Sequence, residues 1–409
     1  MGVTRVSKLN ELIHKLRPDE VEYISIGSLI TRIREKGSDD PNVRQVYVVS
    51  NTQGMVKAEE YRENTIHSED TSNYTIVREN MIAYNPSRLN IGSIARLKYS
   101  EAGLVSPMYV VFSINSQKIM HEYFDHIIKS SYVASKINSL KEEGARFRFE
   151  FSRWDRIIIP VPPLPVQKEI VRILDNFTEL TAELITELTA RKKQYEYYRE
   201  KILSQTNNAE QYALQDIVAD SCSISYGIVQ TGDDVENGIP VVRPVDLADK
   251  IVSLRGLKRV APSIAESYKR TILKGGDLLL CVRGTTGVIS IASDELKGCN
   301  VSRGIVPLTF KSTVCPKYIY YQFLSQGIQK EIESKTRGAA LKQINMEDLR
   351  QIRFPVPTLE EQQQIVSILD RFDVLCNDIT SGLPAEIEAR QKQYEYYRDK
   401  LLAFGEVNV

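Results

Sequence analysis

Few residues of this chain are typed and spaced for chemistry. The stretch Tyr84-Asn85-Pro86-Ser87 comes nearest to a reactive loop. An Asn-Pro-Pro-aromatic loop holds an extruded base by hydrogen bonds and stacking. Here the second proline and the aromatic are missing, so the stretch reads as an ordinary loop. His121 and His126 are five residues apart, off one helical face, and His14 and His67 are scattered, so no metal-ligand cluster is expected. His121 with Asp125 reads as a helix-surface pair. There is no GxxxxGK[ST] phosphate loop and no GxGxxG turn. Pro18-Asp19 lacks the downstream Glu-x-Lys of a common nuclease core. The pattern fits a binding protein better than a catalyst.

The elements that would carry its loops declare themselves by repetition. Gln194-Tyr195-Glu196-Tyr197-Tyr198-Arg199 returns letter for letter as Gln393-Tyr394-Glu395-Tyr396-Tyr397-Arg398. Upstream, Pro160-Val161-Pro162 matches Pro355-Val356-Pro357. Leu164, Gln167, Ile170, Val171, Ile173, Leu174, Asp175 and Phe177 match Leu359, Gln362, Ile365, Val366, Ile368, Leu369, Asp370 and Phe372. The offset is 195 up to the phenylalanine and 199 at the tyrosine motif, so the second copy carries four extra residues. The chain reads as variable, repeat, variable, repeat.

A length of 409 residues suggests two to three domains. Lys+Arg and Asp+Glu both total 53, so overall charge names no partner. The variable segments are slightly basic and the last repeat acidic, a weak pointer to a polyanion meeting the variable parts. The five cysteines show no CxxC spacing, which suggests reduced thiols and a cytoplasmic protein. No apolar run approaches about 20 residues, so no membrane span is expected. The amino end leads into a polar helix, Ser7 to Leu16, and not a signal peptide.

The first variable region reads as a compact mixed α/β domain. Its strands are expected at Val43 to Val49, Tyr74 to Val77, Met81 to Tyr84, Ile91 to Ala95 and Tyr109 to Ile114, followed by a helix from Ile119 to Leu140. The second region repeats that order. It has strands at Leu278 to Val282, Val288 to Ala292 and Ile305 to Phe310, and a helix from Tyr318 to Glu333. Arg283-Gly284-Thr285-Thr286-Gly287 then sits where Asn85-Pro86-Ser87-Arg88 sits in the first. Two domains of one plan, with different loops, suit two different targets.

The repeats read as long helices with a narrow apolar seam. In the first copy Ile170, Ile173, Phe177 and Leu184 recur at heptad steps, and Tyr195 and Tyr198 resume them after a stutter. In the second copy Ile365, Ile368, Phe372, Ile379, Tyr394 and Tyr397 do the same. Ser381-Gly382-Leu383-Pro384 should break or kink that helix, because proline suits a fresh first turn. Thr358 with Glu361 makes a capping box. The expected fold is α+β. Two mixed α/β recognition domains are separated by two long helices packed as an antiparallel coiled coil, with an internal pseudo-two-fold repeat. The expected boundaries are 1–158 and 206–353 for the domains, and 159–205 and 354–409 for the helices.

On the Pro-Val-Pro entry, the Gln-x-x-Ile-Val-x-Ile-Leu-Asp-x-Phe run and the Lys-Gln-Tyr-Glu-Tyr-Tyr-Arg motif at 193–199 and 392–398, the chain resembles the specificity subunit of Type I restriction–modification systems over its whole length. The resemblance implies a non-catalytic DNA reader with no cofactor of its own. Each domain would read one half of an asymmetric, two-part site in double-stranded DNA. Two adenine methyltransferase subunits, using S-adenosylmethionine, would dock on it, and translocating endonuclease subunits can join. The polar stretch Asp40 to Ser72 does not alter that class.

Under this reading the candidate readers in the first domain are Asn51, Gln53, Asn85, Arg88 and Asn90, with Arg146 and Arg148 to grip phosphate. In the second domain they are Tyr226, Gln230, Arg243, Arg283, Thr285 and Thr286, flanked by Arg337, Lys342 and Gln343. Arg283, between a strand and two glycines, leads them. Two other readings remain: a coiled-coil scaffold without DNA specificity, and a stand-alone methyltransferase or nuclease.

Overall fold

The computed structural model describes residues 21–51, 53–61, 70–140, 147–338, 341–378 and 381–404. The expected helix at 7–16, Arg146 and Ile379 lie outside the described residues. The longer helices are, in chain order, α1 (His121–Ile127), α2 (Ser131–Ser139), α3 (Leu164–Ser204), α4 (Pro316–Phe323), α5 (Gln326–Lys335), α6 (Leu359–Asn377) and α7 (Leu383–Leu402). Beyond Pro165 in its first turn, α3 contains no proline or glycine, so nothing interrupts its 41 residues. In the second repeat, by contrast, α6 stops at Asn377, and α7 starts afresh with Pro384 in its first turn. Thr358 and Glu361 form the capping box of α6.

The chain divides into two compact units. One is Met1–Ile185 with Glu386–Val409, and the other is Thr186–Ala385. The division falls inside α3, so each unit owns part of that helix and one helix of the second repeat.

In the first unit a four-stranded antiparallel sheet runs Ile30–Ile33, Val110–Ile114, Ile82–Tyr84, Ile94–Arg96. Phe112, Phe124, Phe149 and Trp154 fill the core beside it. In the second unit the corresponding sheet runs Ile251–Val252, Ile289–Ala292, Leu278–Cys281, Ile305–Leu308. A three-stranded sheet, Lys258–Val260, Ile239–Val242, Asn300–Val301, lies in the same unit.

The two units share a framework at the offset of 195. Buried Gln167 accepts the Met120 N–H at 2.8 Å and donates to the carbonyls of Lys118 and Pro162. Buried Gln362 accepts the Cys315 N–H at 2.8 Å and donates to Thr313 and Pro357. The Tyr123 hydroxyl donates to the Pro160 carbonyl, and the Tyr318 hydroxyl to that of Pro355, both at 3.0 Å. Each glutamine and tyrosine therefore pins the Pro-Val-Pro entry of its repeat helix to the body of its own unit.

Each helix expected after the sheet is in fact two. Ser130 and Ser325 take extended backbone, and their side chains accept the N–H of Val133 and of Ile328, starting α2 and α5. The carboxylate of Asp399 accepts the first N–H of α2 at 3.1 Å, and that of Glu200 the first N–H of α5 at 3.1 Å. Negative charge at a helix start is favourable, so the motif helices hold these breaks in place.

The seam reading needs one correction. Ile368 is 44 % exposed, whereas Ile173 in the first copy is buried. The buried positions of α6 are Gln362, Val366, Leu369 and Cys376, a stripe turned one residue from the expected one, because this helix also packs on its own domain. Ile365 and Phe372 remain half-buried at the helix contact. Phe372 stacks on Tyr195 and Tyr198 at 6.4 and 6.0 Å, while Ile365 and Ile202 line one groove, so α3 and α6 run antiparallel. In the first unit Phe177 stacks on Tyr397 at 5.5 Å, Ile170 is buried, and Leu184 is half-buried.

Among the described residues no helix is long and apolar enough to cross a membrane, and no group of His, Cys, Asp and Glu is placed to hold a metal ion.

Candidate nucleic-acid interface

In each unit the chain leaves the central strand into a loop, and a later segment folds back against it. In the second unit the loop is Val282 to Gly287. Ile344 N–H donates to the Val282 carbonyl at 3.1 Å, and Gly284 N–H to that of Lys342 at 2.8 Å. Arg337 and Gln343 exchange both backbone hydrogen bonds at 2.9 Å, and Gln343 also bridges to Arg283. Residues about 55 apart in sequence, Arg283, Thr285 and Thr286 with Arg337, Lys342 and Gln343, are thereby brought together. Gly284 sits at φ 87°, a left-handed conformation that leaves Arg283 at the edge of the turn. Arg283 is half-buried, and its guanidinium makes no bond among the described residues. Arg337 and Lys342 are exposed.

A third segment closes on the same place. Gly227 N–H donates to the Ile305 carbonyl, and Arg303 N–H to that of Ile228. A Cβ on Gly227 would lie 1.8 Å from the Val301 carbonyl, so only glycine allows this approach. It sets exposed Tyr226 under Arg303, whose guanidinium carbon is 6.0 Å from the ring centre. Arg303 was missed by sequence reasoning. Its signal was a basic residue beside Gly304 between the buried Val301 and Ile305. Gln230 is exposed nearby in sequence. Arg243 is less free than expected, for its guanidinium forms a bidentate pair with Asp246 at 2.9 and 3.1 Å.

In the first unit the loop is Asn85 to Arg88, and Phe149 N–H donates to the Pro86 carbonyl at 3.0 Å, which places Arg148 beside it. Arg88, Asn90 and Arg148 are exposed, the last paired with Glu150 at 2.6 Å. Asn85 is 8 % exposed, and its Oδ1 accepts the Ser87 N–H, so its side chain shapes the turn instead of facing out. Asn51 and Gln53 are exposed on the tip of the Tyr47–Ser50/Gly54–Lys57 hairpin. They line a cavity of about 440 Å³ together with His126, Asp175 and Tyr394.

Behind these surfaces each unit carries a polar knot. In the first, His126 Nε2 meets Asp175 and Nδ1 meets the Tyr394 hydroxyl, both at 2.9 Å. Burial holds the imidazole below its ordinary value of 6.5, with Asp175 opposing the shift. A neutral ring that donates from Nε2 can accept the tyrosine hydroxyl at Nδ1. In the second, Asp370 takes hydrogen bonds from Lys250, Lys317 and Tyr321. Burial works against its charge, yet these donors bring its carboxyl down to about 2.

Loops of differing letters on one repeated scaffold, with basic groups at their edges, define a two-part binding protein with the marks of a polyanion reader. The comparisons give the particular family. A profile of the "Type I restriction modification DNA specificity domain" matches residues 18–194 and again 223–389. The chain belongs to that family and is a non-catalytic DNA sequence-recognition subunit. It is 33 % identical over 308 residues to the Escherichia coli "Type I restriction enzyme EcoR124I/EcoR124II specificity subunit", covering 73 % of this chain and 74 % of that one. A Haemophilus influenzae "putative type I restriction enzyme specificity subunit" is 34 % identical over 272 residues, 64 % of this chain and 67 % of that one. A chain from a solved structure of "the type I R-M system" shares the fold, with a TM-score of 0.62 and 17 % identity, covering 94 % of this chain and 98 % of that chain.

Proposed function

We propose that each unit reads one half of a bipartite, asymmetric DNA site. Residues 1–158 and 206–353 carry the two readers, and the repeat helices at 159–205 and 354–409 set their interval. The same helices dock two adenine methyltransferase subunits, which supply S-adenosylmethionine chemistry, and translocating endonuclease subunits join the complex. The protein works in the cytoplasm, in keeping with its five free cysteines.

One observation carries this reading. In each unit the loop after the central strand and the segment that folds back on it present exposed basic side chains, on one framework but with different letters. A shared framework with unlike loops reads unlike base sequences, through groove contacts for identity and phosphate contacts for position. The test is DNA binding by the chain with its methyltransferase subunits across a salt series. Affinity should fall linearly on a log–log plot, with a slope of roughly −0.9 per phosphate neutralised. The chain alone should neither methylate nor cut DNA. Binding indifferent to salt and sequence would return the scaffold reading.

A further inference from the structure

The two units treat one edge of the central sheet differently. In the second unit the edge strand Ile289–Ala292 is covered by Ile251–Val252, which runs parallel to it. Ile291 N–H donates to the Lys250 carbonyl at 2.7 Å, and Ser293 N–H to that of Val252 at 3.0 Å. The residue leading into that short strand anchors it. Lys250 Nζ donates to Asp370, Asp373 and Tyr321 at 3.0, 2.7 and 3.0 Å, and lies 5.1 and 5.5 Å from the ring centres of Tyr321 and Tyr320.

In the first unit the corresponding edge is Ile94–Arg96, and no strand covers it among the described residues. Arg96 and Lys98 stand 195 positions before Ile291 and Ser293, and their N–H groups bond to no described residue. The cavity of about 440 Å³ lies along that edge, lined by Ile94, Ala95, Arg96 and Lys98. From α3, Asp175 and Thr178 line it, where the second unit has Asp370 and Asp373. The Asp175 side chain is 44 % exposed, and His126 is its one side-chain partner among the described residues. The cavity's two other carboxylates are taken, because Arg96 pairs with Glu122 and Asp125 at 3.0 and 2.9 Å. The ammonium groups of Lys98 and Lys129 on its wall bond to no described residue.

We propose that this edge is a docking slot for an extended peptide of a partner protein, added as a parallel strand beside Ile94–Arg96. The peptide carries a lysine or arginine whose charge meets Asp175, next to an acidic residue that meets Lys98 or Lys129. An open strand edge binds a peptide backbone through its unpaired N–H and C=O groups, and the flanking side chains select the sequence. The second unit supplies such a strand from its own chain, in the letters Asp249-Lys250-Ile251-Val252. The first unit keeps the edge and the first carboxylate but not the strand. DNA reading is not required for this docking.

The probe is a fluorescent peptide with the sequence of residues 246–253, Asp-Leu-Ala-Asp-Lys-Ile-Val-Ser, titrated onto the full chain and followed by anisotropy. One copy should bind, and hydrogen exchange should slow at residues 94–98. The same peptide carrying Lys250→Ala should bind at least about tenfold more weakly, as for a lost charged hydrogen bond. Thr178 is exposed, so its replacement leaves the fold intact. Thr178→Asp supplies the second carboxylate that the other unit has and should tighten the peptide by about threefold, while Thr178→Arg should weaken it by as much. No saturation at about 1 mM peptide, equal affinity for the alanine peptide, or slowed exchange at residues 289–293 through displacement of the resident strand would overturn the proposal. DNA binding that responds to both Thr178 variants, with peptide binding that responds to neither, would assign the cavity to nucleic acid and overturn it too.

Discussion

Replacing Gln167 by alanine removes three hydrogen bonds from a side chain with no exposed surface. The Met120 N–H would be left without an acceptor, and the carbonyls of Lys118 and Pro162 would lose a donor. An orphaned buried N–H costs about 1–3 kcal/mol, and with the two weakened carbonyls the total is about 2–4 kcal/mol. That corresponds to hydrogen exchange faster by about 30- to 700-fold wherever exchange needs the first unit to open. Peptide-resolved exchange should show the acceleration in residues 21–185 and 386–404, with the second unit protected as before. Gln362→Ala should do the reverse. If Gln167→Ala accelerated both units alike, or neither, these glutamines would not be the pins of separate cooperative units.

Ser325→Ala should cost about 1 kcal/mol through the lost start of α5, read as a lower melting temperature of the second unit. Lys342→Ala should weaken DNA binding for all sequences and reduce the salt slope by roughly 1, whereas Arg283→Ala, if it contacts a base, should cost about 1–3 kcal/mol and relax discrimination at one position. Acid should act on the units at different pH. His126 has a folded pKa below its unfolded value, so its contribution is complete above about 6.5 and is lost as pH falls below that. Asp370 also has a folded pKa below its unfolded value of 3.8. Its share is complete above about pH 4 and is lost as pH falls through about 2. Exchange at pH 5.5 against pH 7.5 should therefore loosen the first unit before the second.

Much of this was legible in the sequence because the repeat preserves letters as well as pattern. Pro160-Val161-Pro162 and Gln167 recur with their hydrogen-bond tasks intact, so the framework could be located from identity alone. The break at Ser130 could not, since the carboxylate that supports it, Asp399, is 268 residues from the Ser131 N–H it accepts. The turn of the α6 stripe away from Ile368 was hidden because periodicity gives a helix its apolar face but not the number of neighbours that face must satisfy. At the candidate interface Arg283 lies beside the segment that carries Arg337 and Lys342, through backbone bonds that the sequence order of the two stretches made legible. Asn85 and Arg243 were misjudged for local reasons. Asn85 closes its own turn onto Ser87, and Arg243 has Asp246 three residues on, both of which short-range spacing could have disclosed. Arg303 was overlooked because Tyr226 reaches it only through the close pass at Gly227.

The most direct measurement exchanges residues 17–158 for the corresponding segment of a relative and maps methylated adenines in cells that carry the hybrid with its methyltransferase. One half of the recognised site should change, while the other half and the interval between them stay as they were. A hybrid that alters both halves, or neither, would contradict the assignment of one reader to each unit.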